Sequence, residues 1–275
     1  MNKCAPSKKK DFTCFSKEDL IYICKVYSSS NENKILIENK TKKELWNILE
    51  ERLRDTCKNE RCWLKQNLIP RDFSINHLNK TFKPEHPKEW LKNPYEWLSS
   101  TDIRKVMKQY EYKYKNFLFL GPAPVDCPSA IECSLTNLEV VDLYNMGKKN
   151  VGIIFNLDKH NEPGSHWVSF YFDINKGDIF YFDSTGEDPP KLILSFLYKM
   201  KESCKDFFNR TGKSNNVDIY VNNTQFQFGN TECGIFSMYF IISFLKGKNM
   251  DELKKKDFND TYMNKLRKKF YISPN

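Results

Sequence analysis

The segment that most limits the fold is an apolar run near the end of the chain, from Ile235 to Leu245. Only Ser237 and Ser243 interrupt it, so the sequence predicts a helix over 233–245 that is buried at the centre of a domain. Cys233 stands where this helix begins, and there free backbone N–H groups and the positive end of the helix dipole favour a thiolate. We therefore expect a reactive cysteine at this position.

A thiol that cleaves peptide bonds needs a base, a group that orients the base, and donors for an oxyanion. His166 begins one predicted strand and Asp183 ends the next, with a hairpin turn at 175–178 between them, so their side chains can face each other. Gln227 offers an amide donor shortly before Cys233. Taken singly, each residue also has an ordinary interpretation as a packing or turn residue; the combination favours catalysis.

The rest of the sequence predicts an α+β protein that is preceded by an N-terminal helical region. Ser16 and Thr41 are the predicted N-caps of the two front helices, with Asp19 and Glu44 completing the capping pattern. Residues 70–96, rich in Pro, Lys, Asn and His, are typical of a linker with few regular elements. Further helices are predicted from Ser100 or Thr101 to about Tyr114, from Pro189-Pro190 to about Asn209 and over 261–270, and further strands over 151–155, 166–173, 178–183 and 217–222. We predict domains 1–95 and 96–275.

Charge and cysteine content limit the function classes. The chain of 275 residues carries a net charge of +9. Residues 1–95 hold 20 Lys and Arg against 13 Asp and Glu, whereas residues 96–275 hold 24 against 22. The excess of basic residues in 1–95 favours binding to nucleic acid or another anionic partner, although a solvated lysine-rich face is the commoner reason for such an excess. Nine scattered cysteines favour a reduced protein, and because they contain no CxxC pair, neither a zinc site nor another cofactor is expected. No apolar run is long enough for a membrane span, and the N-terminal residues lack a signal-peptide pattern, which favours an intracellular protein.

Several of these residues match the motifs of a known family. His166-Trp167, Phe182-Asp183-Ser184, Gln227 and Glu232-Cys233-Gly234 together resemble the ubiquitin-like-protein proteases, which include SUMO proteases, adenovirus-type proteases and the processing proteases of large DNA viruses. Residues 97–103 also resemble the family's WL-x-x-x-x-I entry segment. Residues 119–121 together with 124–126 resemble a motif of the viral proteases in this family. Glu232 favours the same branch, because many cellular members have Asp at this position. The resemblance covers roughly residues 97–270.

The resemblance implies a papain-related α+β fold with permuted element order, a central mixed sheet and a buried helix that carries the nucleophile. It implies that Cys233 is the nucleophile, His166 the general base and acid, Asp183 the orienting group and Gln227 the oxyanion donor. Substrate binding is expected at Trp167, Trp97 and Gly234, with Trp167 narrowing the cleft so that Gly-Gly or Ala-Gly precedes the cut.

Three functions remain open on these grounds. The first is a maturation protease that cuts viral structural polyproteins, acting in the host cytoplasm at the site of virus assembly and in the virion. The second is a deconjugating protease for a ubiquitin-like modifier. The third is a nucleic-acid-binding or virion-binding protein with a non-catalytic protease-like domain, in which the basic front region contacts nucleic acid or a capsid or core protein. The front helices resemble a SAP-type DNA-binding hairpin without its glycine; a small helical docking domain is the other interpretation.

Overall fold

The computed structural model describes residues 3–8, 11–130, 133–213, 215–254 and 258–274. The chain divides into two compact units, Met1–Pro84 and Glu85–Asn275. This division lies before the 95/96 boundary that the composition suggests, because a short 3-10 helix over Lys88–Leu91 buries Trp90 in the core of the second unit.

The first unit is helical. Its helices are α1 (Lys17–Ser29), α2 (Lys42–Leu53), α3 (Glu60–Trp63) and α4 (Arg71–Thr81). Ser16 and Thr41 are the predicted N-caps, and both form capping boxes, with Asp19 and Glu44, which satisfies orphan N–H groups at both helix starts. The core of this unit lies between α1 and α2, around Leu20, Leu45 and Leu49.

The prediction of an irregular linker over 70–96 is wrong, because α4 occupies Arg71–Thr81. Its sequence has weak helix propensity and no side-chain cap. Tertiary contacts stabilise it instead: the Phe73 ring stacks on Tyr22 with centroids 3.9 Å apart, and His77 Nε2 lies 3.2 Å from the Asp19 carboxylate. Single-residue propensities contain no information about such contacts with α1.

The second unit alternates helices and strands. The helices are α5 (Ser100–Lys113), α6 (Val140–Asn145), α7 (Lys191–Thr211), α8 (Cys233–Leu245), α9 (Met250–Leu253) and α10 (Asp260–Phe270), and the strands are β1 (Phe117–Phe119), β2 (Ala123–Pro124), β3 (Asn150–Asn156), β4 (Trp167–Asp173), β5 (Asp178–Phe182) and β6 (Asp218–Val221). The N-cap of α5 is Ser99, one or two residues before the predicted caps Ser100 and Thr101, and Asp102 completes its capping box.

The strands form one mixed sheet in the order β1-β3-β4-β5-β6, with β2 also pairing with β3. Strands β3, β4 and β5 are antiparallel neighbours, whereas β1, β2 and β6 pair in parallel. Strand β4 alternates its side chains between two cores. Val168, Phe170 and Phe172 face the side of α7, and Trp167 and Tyr171 face the side of α8. The expected α+β fold with a central mixed sheet is confirmed.

The central helix has the bounds that the apolar pattern predicts, Cys233–Leu245. Ser237 and Ser243, which interrupt the apolar run, are both buried. The Ser237 hydroxyl donates to the Trp167 carbonyl at 3.0 Å, and the Ser169 hydroxyl donates to the Ser237 carbonyl at 3.3 Å. These two bonds join the first turns of α8 to the beginning of β4.

The prediction of uniformly reduced cysteines is wrong. Three disulfides are present, Cys4–Cys14, Cys57–Cys62 and Cys127–Cys133. Their partners are separated by 10, 5 and 6 positions in the chain, and local turns bring the Cα atoms of each pair to between 5.2 and 5.4 Å. Cys24, Cys204 and Cys233 are free and buried. Of these three free cysteines, Cys233 is the one at a helix start.

The turn between β4 and β5 supports a stability prediction. Gly177 has φ +79°, and a Cβ atom built there would lie 2.5 Å from the Asn216 carbonyl oxygen. Gly247 has φ +81° with open space around it. Gly247→Ala is expected to lower the free energy of unfolding by about 1 kcal/mol through backbone strain alone, and Gly177→Ala by about 2–4 kcal/mol because a steric clash adds to the strain.

Urea unfolding of the two variants beside the wild type measures this difference. Equal losses for Gly177→Ala and Gly247→Ala would show that the crowding beside Gly177 costs nothing.

Among the described residues, no helix combines the length and apolar character that crossing a bilayer requires.

Candidate active site

The site is built where β4 begins, where β5 ends and where α8 begins. Cys233 is the first residue of α8 and is 1% exposed. The N–H groups of a first helical turn have no acceptor within the helix, so they are available to a negatively charged group there. A sulfur at this position therefore lies in an electropositive surrounding.

His166 and Asp183 flank the paired strands. The β4–β5 ladder ends with Ser169 opposite Phe182, so Asp183 directly follows β5 and His166 directly precedes β4 at the same end of the sheet. The His166 Nε2 atom lies 2.7 Å from Asp183 Oδ1. That bond leaves Nδ1 as the ring nitrogen that can face the thiol. The predicted facing of these two side chains across a hairpin is present in the structure.

Electrostatics favour a charged histidine at this position. Burial, the largest influence, lowers the pKa of His166, but hydrogen bonds with Asp183 and Cys233 and the charges of those two side chains raise it to about 10. Burial also acts to raise the pKa of Asp183, but its hydrogen bond with His166, the charge of the ring and the bonds from Thr185 hold that pKa below its ordinary value. The imidazolium form is therefore the stable one at neutral pH.

The Asp183 carboxylate is fixed on several sides. Its Oδ1 atom also accepts from the backbone N–H and the hydroxyl of Thr185, both at 2.8 Å. The buried Asn222 donates through Nδ2 to the Asp183 carbonyl at 2.7 Å. Neither Thr185 nor Asn222 is among the site residues predicted from the sequence. The turn sequence Asp183-Ser184-Thr185-Gly186 could have pointed to Thr185, because an aspartate in such a turn commonly accepts a hydrogen bond from the N–H of the residue two positions later.

Gln227 is joined to the same turn. The Ser184 hydroxyl donates to Gln227 Oε1 at 2.7 Å, and Gln227 Nε2 donates to the Gly229 carbonyl at 2.9 Å. The Gln227 and Phe226 N–H groups both donate to the Ser184 carbonyl. A carboxamide has two amide hydrogens, so the second hydrogen on Nε2 remains available to another acceptor. Ser184 thus connects Asp183, its neighbour in the chain and the hydrogen-bond partner of His166, with Gln227, the predicted oxyanion donor.

A cleft of about 540 Å³ opens beside Trp167. Trp97, which is 36% exposed, lines it together with Trp167, Ser99, Pro122 and the loop from Asn156 to Gly164. The Trp167 indole N–H donates to the Leu98 carbonyl at 3.0 Å, which fixes the plane of the ring. Both predicted substrate-binding tryptophans are therefore at the cleft.

Gly234 is placed differently from these two residues. It is buried, and a Cβ atom there would meet Leu98 and Trp167 at 3.3 Å. The lack of a side chain there lets α8 approach Trp167 closely. Within the described ranges, no group of three or more His, Cys, Asp or Glu side chains is positioned to hold a metal ion.

Three residues of α10 also contact the loop between Gln227 and Cys233, namely Asp260, Asn264 and Arg267. The sequence pattern predicts a helix over 261–270 but not these contacts. Their spacing of four and three positions was a usable signal, because it puts polar groups on one helical face.

The Ulp1 protease family, C-terminal catalytic domain, matches residues 146–273, which include Cys233, His166, Asp183, Gln227 and Trp167 but not Trp97. The chain belongs to this family of cysteine proteases. The protein R355 of Acanthamoeba polyphaga mimivirus, whose name describes a thiol protease, is 32% identical over 98% of this chain and 93% of its own length. The cysteine protease S273R of African swine fever virus (isolate Tick/Malawi/Lil 20-1/1983) is 24% identical over 84% of this chain and 89% of its own.

The fold has a counterpart among solved structures. The crystal structure of the ASFV pS273R protease superposes with a TM-score of 0.70 at 20% identity, covering 99% of this chain and 96% of that one. The expected resemblance to the viral branch of the ubiquitin-like-protein proteases is confirmed, as is the class of thiol protease.

Proposed function

We propose that Cys233, His166 and Asp183 form the catalytic triad of this protease and that Gln227 stabilises the oxyanion. The observation that carries the proposal is His166, which interacts with both the Asp183 carboxylate and the Cys233 sulfur and has a pKa raised to about 10. A protonated imidazole beside a sulfur at a helix start favours an ion pair with the thiolate, the nucleophilic form.

In the proposed reaction the Cys233 sulfur attacks the carbonyl carbon of the scissile peptide, forming a C–S bond and an oxyanion. The second Nε2 hydrogen of Gln227 and the Cys233 backbone N–H donate to that oxyanion. His166 gives its proton to the leaving amine as the C–N bond breaks, and a thioester remains. His166 then takes a proton from water, whose oxygen attacks the carbonyl carbon of the thioester. The C–S bond breaks, the carboxylic acid product leaves, and the thiolate and the imidazolium form the ion pair again.

The proposed substrates are viral structural polyproteins with Gly-Gly or Ala-Gly before the cut. Packing of Trp167 against Leu98 and Gly234 leaves the ring beside the cleft with little freedom, which supports selection of small residues next to Cys233. In line with the viral relatives, we place the activity in the host cytoplasm, at the site of assembly, and in the virion. The basic residues before 96 then face nucleic acid or a core protein, and binding through them is expected to weaken steeply with added salt.

A Gly-Gly peptide aldehyde or vinyl ester tests the chemistry and the preference together. We expect covalent labelling of Cys233, located by mass spectrometry, and cleavage of Gly-Gly-X and Ala-Gly-X peptides by the unlabelled protein. A Val-Val-X peptide of equal length is the matched control and is expected to be cut at least about 10-fold more slowly. Labelling on another cysteine would refute the assignment of the nucleophile.

A second candidate substrate is a folded ubiquitin-like modifier joined to a lysine. It is favoured by one relative, a protein of African swine fever virus named SUMO-1 cysteine protease, which is 24% identical over 84% of this chain. Modifier-based fluorogenic substrates distinguish the two, because a deconjugating protease needs the folded modifier and a polyprotein protease cuts the short peptide. Faster turnover of the modifier substrate than of the peptide would favour this second candidate.

A further inference from the structure

One face of helix α10 contacts the loop that runs from Phe228 to Glu232. Asp260, Asn264 and Arg267 lie on this face, at positions that recur once per helical turn. The loop follows Gln227 and ends at Cys233, so it separates the two proposed oxyanion donors along the chain. Its backbone conformation therefore decides whether both donors can reach the same oxygen atom.

Asp260 holds the first half of the loop. Its Oδ2 atom accepts from the Phe228 N–H at 2.8 Å and from the Gly229 N–H at 3.0 Å. Bonds from neutral donors to a carboxylate are roughly twice as strong as bonds between neutral groups. The Phe228 ring is 75% exposed, so burial of this side chain does not hold the loop. The carboxylate of Asp260 is the contact that orients this part of the backbone.

Arg267 and Asn264 hold the second half. Arg267 is 2% exposed and donates through Nη2 to the Thr231 carbonyl and through Nη1 to the Glu96 carbonyl, both at 2.7 Å. Asn264 donates through Nδ2 to Glu232 Oε1 at 2.8 Å. The other oxygen of Glu232 accepts from the Thr231 N–H at 3.0 Å, which closes the turn before α8.

The backbone of Gly229 links Asp260 to Gln227, the proposed oxyanion donor. Asp260 accepts the Gly229 N–H, and the Gly229 carbonyl accepts one hydrogen of Gln227 Nε2 at 2.9 Å. A displacement of this backbone therefore rotates the Gln227 amide and redirects its second hydrogen. Misplacement by about 1 Å in a catalytic group can cost about 100-fold in rate.

We propose that α10 is a positioning element for the oxyanion site and that Asp260 is its principal residue. The inference rests on the proposed function and extends it to the C-terminal helix. Asp260 touches neither the substrate nor the sulfur; it acts through Gly229 and Gln227. Its loss lowers stabilisation of the tetrahedral oxyanion and leaves formation of the thiolate unchanged, because that depends on His166, Asp183 and the start of α8.

The test compares Asp260→Ala with Asp260→Asn and with the control Asp251→Ala, which removes an exposed acid from the first turn of α9. With a Gly-Gly-X peptide we expect Asp260→Ala to lower kcat about 10- to 100-fold with KM within about 3-fold. Asp260→Asn keeps an oxygen acceptor and is expected to recover most of the loss. Asp251→Ala is expected to match the wild type.

Two further measurements separate positioning from a general structural effect. Alkylation of Cys233 by iodoacetamide forms no oxyanion, so its rate and pH profile are expected to be unchanged in Asp260→Ala. The affinity for a Gly-Gly peptide aldehyde, whose adduct carries the oxygen that the site binds, is expected to fall by the same factor as kcat. Asn264→Ala, which loses the bond to Glu232 and the bond that Arg267 Nε donates to Asn264 Oδ1, is expected to show a smaller effect of the same kind.

The proposal is overturned if Asp260→Ala keeps its kcat, if its loss appears in KM, or if alkylation slows in parallel with kcat. If Asp260→Ala does not fold, Asn264→Ala decides between the same outcomes. Failure of the proposed function looks different: wild-type protein would then cleave no peptide, and Cys233 would be alkylated no faster than Cys24 or Cys204.

Discussion

Cys233→Ser is expected to lower kcat/KM for a Gly-Gly-X peptide by at least about 10⁴-fold, because the hydroxyl is a far weaker nucleophile than the thiolate and has no ion pair with the imidazolium. The free energy of unfolding is expected to change by about 1 kcal/mol or less, since the substitution exchanges one atom for a smaller one. Steady-state cleavage and urea unfolding of the same preparations measure the two quantities.

Cys204→Ser is the matched control, since Cys204 is also a free, buried cysteine on a helix of the second unit. Burial raises the pKa of Cys204 to about 11, so its thiol is protonated at neutral pH. We expect this variant to retain wild-type turnover. Equal turnover by Cys233→Ser and the wild type would remove Cys233 from the mechanism, and a loss in both variants would point to an effect on the fold.

Asp183→Asn is expected to produce the second largest effect, a fall in kcat of about 10²- to 10⁴-fold. The amide has nearly the shape of the carboxylate but no charge, so it neither stabilises the imidazolium nor holds the ring with its Nδ1 toward the sulfur. Asp183 is 1% exposed, and solvent therefore supplies no substitute for the lost charge. Asp178→Asn, at the other end of β5, is the control and is expected to remain active.

The pH dependence gives this prediction a second readout. Because the pKa of His166 is raised to about 10, the ion pair persists as pH rises through neutrality, and activity is expected to decline only as the ring loses its proton near that value. In Asp183→Asn one of the groups that raise this pKa is removed, so the alkaline decline of kcat/KM moves to lower pH. An unmoved alkaline limb would mean that His166 is not the group that titrates.

Local patterns determined a large part of this architecture. The bounds of α8 follow from its continuous apolar composition, since a segment with no polar face has to be enclosed on all sides. The capping boxes at Ser16 and Thr41 are local hydrogen-bonding units, so they form wherever the helix forms. His166 and Asp183 were predictable as a pair because the hairpin between them sets the register of β4 and β5.

Contacts between distant segments were outside the reach of those patterns. Helix α4 depends on ring stacking with α1, and the disulfide partners depend on turns whose geometry the spacing alone does not specify. Asp260 reaches Phe228 and Gly229 only because α10 packs beside α8, an arrangement set by the sum of many apolar contacts.

The amino-acid sequence by itself thus predicted a thiol protease, because Cys233, His166, Asp183 and Gln227 stand in elements with strong local signals. Only the tertiary structure decided how these groups are held: Ser184 joins the histidine's partner to the glutamine, and α10 holds the loop before the nucleophile. The physical reason is that hydrogen bonds to backbone groups of a loop leave almost no trace in residue type, whereas burial and helix starts leave a clear one.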